Sequence, residues 1–167
     1  MLVLSVLPGN LLARLVLPFL PVFHTFLIDR LVMAEGSSRK MNILVAEDDA
    51  DVRELIASIL KTDNCMVDLI PDGLQAIRAF TGRKYDLVIT DFDMPGLDGI
   101  ALARSIHDLE PSTPVVMVTG KALDHGQKTA IEAAGIARVI RKPFSTAEIL
   151  GIRNAYSPQP IPVAQQS

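Results

Sequence analysis

Residues 87–109, LVITDFDMPGLDGIALARSIHDL, contain the pattern that determines the predicted fold. The short apolar run Leu87–Ile89 predicts a buried strand, and the stretch Ala101–Leu109, which ends before Pro111, has the spacing of an amphipathic helix. Acidic and turn-forming residues lie between the two elements. The segment therefore predicts one strand–loop–helix unit whose loop is rich in carboxylates.

The same alternation of an apolar run and an amphipathic stretch occurs five times between residues 41 and 156. The predicted strands are Ile43–Val45, Met66–Ile70, Leu87–Ile89, Val115–Val118 and Ala137–Ile140. The predicted helices contain residues 52–60, 74–80, 101–109 and 129–134, and a last helix of about ten residues follows Ser145 as its cap. Alternation of this kind predicts an α/β fold, a doubly wound five-stranded parallel sheet with helices on both faces.

Residues that carry chemistry follow four of the five predicted strands. In a doubly wound sheet, ligands bind beyond the carboxyl ends of the strands, so these residues are expected to converge at one edge. They are Glu47, Asp48 and Asp49 after the first strand, Asp91 after the third, Thr119 and Gly120 after the fourth, and Lys142 after the fifth. We therefore expect one functional site at that edge.

Each of these residues alone has a simpler explanation. Asp49 or Asp51 can cap the first helix and oppose its dipole, and Asp93 and Asp98 can be simple turn formers. Thr119 can cap a helix, and an isolated Lys142 is more often a solvated charge than a ligand. Because four such residues at the same end of four strands are improbable by chance, the joint pattern favours a functional site.

Residues 41–156 resemble the receiver domain of two-component response regulators. The motifs that carry the resemblance are Val45-Ala46-Glu47-Asp48-Asp49, Asp91-x-x-Met94-Pro95-Gly96-x-Asp98-Gly99, Val118-Thr119-Gly120 and Lys142-Pro143-Phe144. They occur in the family's order and cover nearly the whole segment. The resemblance implies a flavodoxin-like sheet with the strand order 2-1-3-4-5.

The resemblance also implies a role for each residue of the predicted site. Asp91 is expected to accept a phosphoryl group from a phosphohistidine of a sensor histidine kinase or a histidine phosphotransfer protein. Glu47, Asp48, Asp91 and the backbone carbonyl of Asp93 are expected to bind Mg²⁺, a hard ion that prefers a few carboxylates, waters and phosphate oxygens. Thr119, Gly120 and Lys142 are expected to bind the phosphoryl group and to switch with it, and Lys142 offsets its negative charge.

Two positions depart from the usual pattern of the family. Glu47 stands where an aspartate is more common, and its extra methylene still lets it reach Mg²⁺ directly or through water. Val139 lies three residues before Lys142, where many receivers carry Tyr or Phe, so the aromatic part of the family's switch is expected to be absent or replaced. Asp93 and Lys121 are expected to modulate the phosphoryl lifetime, as an ion pair or as two independent solvated charges.

The segment before residue 41 differs in composition from the rest of the chain. Residues 1–32 hold only three charges, Arg14, Asp29 and Arg30, and they raise the mean hydropathy of the chain to +0.33. The longest run without a charge, Leu15–Ile28, is interrupted by two prolines and is shorter than the ~20 residues of a spanning helix. We interpret residues 1–40 as an over-extended start or a weak anchor, with a membrane role disfavoured.

Composition limits the remaining functions. The net charge of −3 gives no basic footprint for direct nucleic-acid binding, and a single cysteine, Cys65, excludes a disulfide framework. Residues 157–167 are rich in proline and predict a disordered tail, too short for an output domain. We therefore expect a stand-alone, cytoplasmic receiver that is not an enzyme and contacts a downstream protein through the face formed by its fourth helix, fifth strand and fifth helix.

Two alternatives remain open from the sequence. The motif Asp91-Phe92-Asp93 also matches the D-x-D of Mg²⁺-dependent aspartyl-phosphate phosphohydrolases, although those enzymes carry it after their first strand. A pseudo-receiver that binds partners without being phosphorylated is the other alternative. The complete set of acidic, hydroxyl and amine residues argues against the pseudo-receiver.

Overall fold

The computed structural model describes residues 39–61 and 64–158. The interpretations given above for the hydrophobic segment before residue 39 and for the tail after residue 158 lie outside this part of the chain. Within the described residues, no helix is both long enough and apolar enough to cross a membrane.

Strands and helices alternate along the whole described chain, as the sequence predicts. The strands are β1 (Met41–Ala46), β2 (Cys65–Ile70), β3 (Leu87–Asp91), β4 (Val115–Thr119) and β5 (Arg138–Arg141). The helices are α1 (Ala50–Leu60), α2 (Gly73–Gly82), α3 (Gly99–Leu109), α4 (His125–Ala133) and α5 (Thr146–Ala155). All strand pairs are parallel, and the order β2-β1-β3-β4-β5 confirms the predicted doubly wound sheet.

The sheet has an apolar core on each face because successive side chains of a strand point to opposite sides. Ile43 and Val45 of β1 pack with α1 and α5, whereas Leu44 and Ala46 pack with α2 and α3. The central strands β3 and β4 are buried along their full length, which explains their continuous apolar runs. The loops that follow β1, β3 and β4 therefore begin from buried strand ends.

Helix α4 is anchored differently from the other helices. Its one buried residue among those described is Ile131, which packs with Phe92 and Met117 in a small third cluster. The helix begins at His125, four residues before the predicted segment, because Asp124 and Gln127 form a capping box. Its first turn is polar, so hydrophobic periodicity alone did not indicate it.

Candidate phosphoryl-transfer site

Lys142 lies between two buried carboxylates at the carboxyl edge of the sheet. Its Nζ is 2.7 Å from Oε2 of Glu47 and 3.1 Å from Oδ1 of Asp91. The Lys142 backbone N–H donates to the carbonyl oxygen of Thr119, which extends the pairing of β5 with β4 by one residue. The following peptide bond, to Pro143, is cis. Lys142 is therefore a bridging cation and not the solvated charge that it would be in isolation.

Asp91, at the end of β3, and Glu47 and Asp48, directly after β1, form an acidic cluster. One carboxylate oxygen from each of the three residues lies within 4.8 Å of the other two. Asp91 and Glu47 are buried, whereas Asp48 is exposed. Clustered carboxylate oxygens, one of them open to water, are the donors that a hard divalent cation such as Mg²⁺ prefers, so these residues fit the expected ion.

The pKa values of Glu47 and Lys142 reflect the close packing of these charges. Burial raises the pKa of Glu47 above its usual value; the hydrogen bond from Lys142 opposes this shift, and the charge of Asp91 adds to it. Burial alone would lower the pKa of Lys142, but its contacts with Glu47 and Asp91 outweigh burial, and the pKa is raised. Lys142 therefore stays protonated, and the site carries excess negative charge.

Thr119 and Gly120 complete the edge of the site at the end of β4. Thr119 is buried, and its Oγ1 accepts a hydrogen bond from the backbone N–H of Lys121 at 3.1 Å. It ends a strand and caps no helix. Gly120 is exposed, and a Cβ at this position would lie 3.8 Å from the Cβ of Lys142, an ordinary contact. Backbone crowding in this structure therefore does not require glycine there.

Asp93 and Lys121 form the ion pair that was one of the two expected arrangements. The Nζ of Lys121 lies 3.0 Å from both carboxylate oxygens of Asp93, and the pair is exposed. The same ammonium lies 4.9 Å from the centre of the Phe92 ring. Val139 packs partly buried against the cluster that contains Phe92. These contacts link the loop after β3 with the loop after β4 at the mouth of the site.

The loop after β3 is held against helix α3 by Asp98 and Gly99. The Asp98 carboxylate caps the helix by accepting the N–H of Ala101 at 2.7 Å. A Cβ at Gly99 would overlap the backbone carbonyl of Asp91, so only glycine allows this close approach. Asp98 and Gly99 therefore support the position of Asp91 and lie outside the charged group itself.

Sequence reasoning missed Arg53, the fourth residue of α1. Its Nη1 donates to the backbone carbonyl oxygens of Glu47, at 2.6 Å, and of Asp48, at 3.2 Å. An arginine on the helix after an acidic loop is a weak signal in a sequence, because a solvated surface charge looks the same. Asp49 acts only as the cap of α1, accepting the N–H groups of Asp51 and Val52.

Comparison with known proteins agrees with this geometry. A family model described as the response regulator receiver domain matches residues 43–153. The transcriptional regulatory protein ResD of Bacillus subtilis is 34% identical over 113 residues, which cover 68% of this chain and 46% of ResD. Transcription factor SKN7 of Saccharomyces cerevisiae is 30% identical over 125 residues, which cover 75% of this chain and 20% of SKN7. The chain thus spans less than half the length of either relative.

A solved structure adds a comparison of the site. The receiver domain of the sensor histidine kinase PA1611 from Pseudomonas aeruginosa is 30% identical and has a TM-score of 0.63. The match covers 70% of this chain and 97% of that one. That structure is described as having a magnesium ion coordinated in its active site cleft.

Proposed function

This chain belongs to the response regulator receiver domain family, and from that premise we propose that it receives a phosphoryl group on Asp91 in two-component signalling. The observation that carries the proposal is the contact of Lys142 with Asp91 beside the acidic cluster. A carboxylate nucleophile, an ammonium and clustered oxygen donors are the groups that phosphoryl transfer to an aspartate requires.

The proposed reaction transfers a phosphoryl group from nitrogen to oxygen. A carboxylate oxygen of Asp91 attacks the phosphorus of a phosphohistidine on a sensor histidine kinase or a histidine phosphotransfer protein. The P–N bond breaks, its electron pair returns to the imidazole, and an acyl phosphate forms on Asp91. The donor histidine then takes up a proton from solvent. Lys142 offsets the negative charge that gathers around the acceptor, and the Thr119 hydroxyl, with Gly120 beside it, donates to a phosphoryl oxygen.

Glu47, Asp48, Asp91 and the backbone carbonyl of Asp93 would hold Mg²⁺ in the working protein. The bound ion would supply electrostatic stabilisation of the phosphoryl oxygens. The side chain of Asp93 is not among the proposed Mg²⁺ ligands, because its carboxylate is already paired with Lys121. Asp93, Lys121 and Val139 are proposed to modulate the lifetime of the phosphorylated state and its coupling to the rest of the domain.

Asp91→Asn tests the assignment of the acceptor. The amide keeps the size of the side chain but lacks the nucleophilic carboxylate, so labelling by a radioactive small-molecule phosphodonor with Mg²⁺ should be lost. Asp93→Asn is the matched control, because it changes an acid two residues away in the same loop: it should still be labelled, with a changed lifetime of the label. Base-labile labelling that persists in Asp91→Asn would show that another residue is the acceptor.

A phosphohydrolase acting on small substrates is less well supported. In that alternative Asp93 would act as the second acid of the D-x-D motif, yet its carboxylate is exposed and paired with Lys121. The family model that matches this chain is that of the response regulator receiver domain and not that of a phosphohydrolase. We expect slow loss of the chain's own phosphoryl group and no turnover of a small phosphate ester; multiple turnovers of such an ester would favour the phosphohydrolase.

Downstream output is proposed to use the surface formed by α4, β5 and α5. Helix α4 has a single buried anchor among its described residues, and β5 is an edge strand that exposes Arg138 and Arg141. A weakly anchored helix beside an exposed charged strand is suited to change its contacts when the site changes charge.

The upstream partner is a separate question. Phosphotransfer profiling against the histidine kinases of the source organism would identify it.

A further inference from the structure

We propose that Arg53 is a positioning residue for Mg²⁺: its guanidinium fixes the backbone of Glu47 and Asp48 so that their carboxylates stay directed at the ion. This inference rests on the proposed function only in assuming that Mg²⁺ binds the acidic cluster. The two hydrogen bonds come from one nitrogen, Nη1, and reach the carbonyls of both acids. Arg53 therefore acts through the two proposed ligands and touches no reacting atom.

The loop that Arg53 binds is otherwise fixed mainly at its ends. The Glu47 N–H donates to the Ile70 carbonyl at 3.0 Å, which continues the pairing of β1 with β2. Two residues later, Asp49 caps α1 through its carboxylate. Asp48 lies between these two fixed points, and its carbonyl is held by Arg53. Without the guanidinium, the Asp48 backbone would lose its hydrogen bond to α1, and the middle of the loop would keep only the contacts of the Asp49 N–H with Oε1 of Glu47, at 3.4 Å, and with Oδ1 of Asp48, at 3.0 Å.

Repulsion within the acidic cluster makes this restraint necessary. Lys142 reaches Glu47 and Asp91, whereas among the described residues the Asp48 carboxylate accepts a hydrogen bond only from the Asp49 N–H. Three carboxylates within 4.8 Å repel one another and favour loop conformations that separate them. Arg53 opposes that separation from the backbone side and leaves the carboxylate oxygens available for a metal.

The arrangement requires an arginine more than it requires a positive charge. A guanidinium is planar and presents several N–H donors in a fixed geometry, whereas a lysine ammonium is a compact charge on a flexible stem. Residues that orient metal ligands commonly change metal affinity by about 10–100-fold when they are replaced. We therefore expect a change of that size from loss of the guanidinium and a smaller change from Arg53→Lys.

Arg53→Met gives a test in which positioning and charge predict opposite results. Removing a positive charge near the site would by itself strengthen Mg²⁺ binding, whereas loss of positioning weakens it. Isothermal titration of the unphosphorylated protein with Mg²⁺ should show an affinity at least about tenfold weaker in Arg53→Met and an intermediate affinity in Arg53→Lys. Labelling of Asp91 by a phosphodonor should need more Mg²⁺ for half-maximal rate, with the rate at saturating Mg²⁺ restored to within about twofold.

Arg83→Met is the matched control for loss of an arginine. Arg83 is half-buried and bonds Asp68 and Asn42, away from the acidic cluster. The Arg83→Met substitution should lower the unfolding temperature without changing the affinity for Mg²⁺. Unchanged or tighter Mg²⁺ binding in Arg53→Met would overturn the inference, and if that variant does not fold, unchanged affinity in Arg53→Lys would do so. Because Mg²⁺ binding is measured directly, these outcomes are separate from the Asp91→Asn labelling that tests the proposed function.

Discussion

Lys142 holds a structural position in the charge cluster and has a proposed part in its chemistry. Lys142 directly follows β5, and its side chain pairs with that of Glu47, which lies 95 residues earlier in the chain. Two buried carboxylates so close together would repel each other without a cation between them. The same ammonium is the group that the proposed reaction needs beside the phosphoryl oxygens. Replacement of Lys142 is therefore expected to change the folding energy as well as the proposed reaction.

Lys142→Met should destabilise the metal-free protein by about 3 kcal/mol, because removing one member of a buried ion pair leaves the other charge uncompensated. Lys121→Met is the control, since its exposed pair with Asp93 contributes about 1 kcal/mol or less. Urea unfolding in the presence of a metal chelator measures both changes. Equal effects of the two substitutions would contradict the structural role of Lys142.

The loss in Lys142→Met should also depend on pH. Burial already raises the pKa of Glu47 in the folded protein above the 4.5 of the free side chain. A group with a raised pKa binds its proton more readily in the folded than in the unfolded state, so stability rises as the pH falls from the folded pKa toward 4.5. Lys142→Met removes the contact that limits this shift, so the pKa of Glu47 should rise further in the variant. The stability lost relative to the wild type should therefore be smaller at about pH 5 than at about pH 7. If the stability lost in Lys142→Met grew as the pH fell, Lys142 would not be the cation that compensates the Glu47 carboxylate.

At the scale of elements, the sequence predicted strands better than helix ends. Apolar runs such as Leu87–Ile89 indicate buried strands directly, because a central parallel strand is apolar on both faces. The apolar run does not show that β3 continues to Asp91. A buried carboxylate is tolerated at that position because Lys142 contacts it, and this contact is not visible in the local sequence. The beginning of α4 was missed for a related reason: its capping box is polar, and hydrophobic periodicity does not report it.

Helix α4 should open locally more easily than α3. Ile131 is the one buried side chain described for α4, whereas α3 buries Leu102, Ala103 and Ile106. Each additional large apolar side chain stabilises an element by about 2 kcal/mol, so native-state hydrogen exchange should give α4 an opening free energy lower by about that amount.

Ile131→Ala and Ile106→Ala separate local opening from global stability. Ile131→Ala should speed exchange mainly in α4, because that residue is the helix's principal anchor. Ile106→Ala should lower the protection of the whole sheet against hydrogen exchange, since Ile106 lies in the large core cluster that contains Leu44 and Ala46 of β1. Exchange of α4 amides only through global unfolding would show that the helix is held as firmly as α3.

At the scale of the whole molecule, topology explains why the site could be predicted and its contacts could not. A doubly wound sheet brings the ends of β1, β3, β4 and β5 to one edge, so the convergence of Glu47, Asp91, Thr119 and Lys142 follows from strand order alone. Contacts depend on side-chain lengths and loop conformations. The binding of Arg53 to two backbone carbonyls and the pairing of Lys121 with Asp93 are contacts of that kind.

Mg²⁺ should stabilise the folded protein, because the acidic cluster is assembled only when the sheet edge is formed. At a free concentration ten times its dissociation constant, an ion that binds only the folded state adds about 1.4 kcal/mol. Asp48→Asn removes one negative charge from the cluster, so the metal-free variant should be at least as stable as the wild type and should gain less from Mg²⁺. Thermal unfolding with and without Mg²⁺ measures both quantities. Asp51→Asn, an exposed acid in the first turn of α1 and outside the cluster, should keep the full gain, and an equal gain in both variants would place the ion elsewhere.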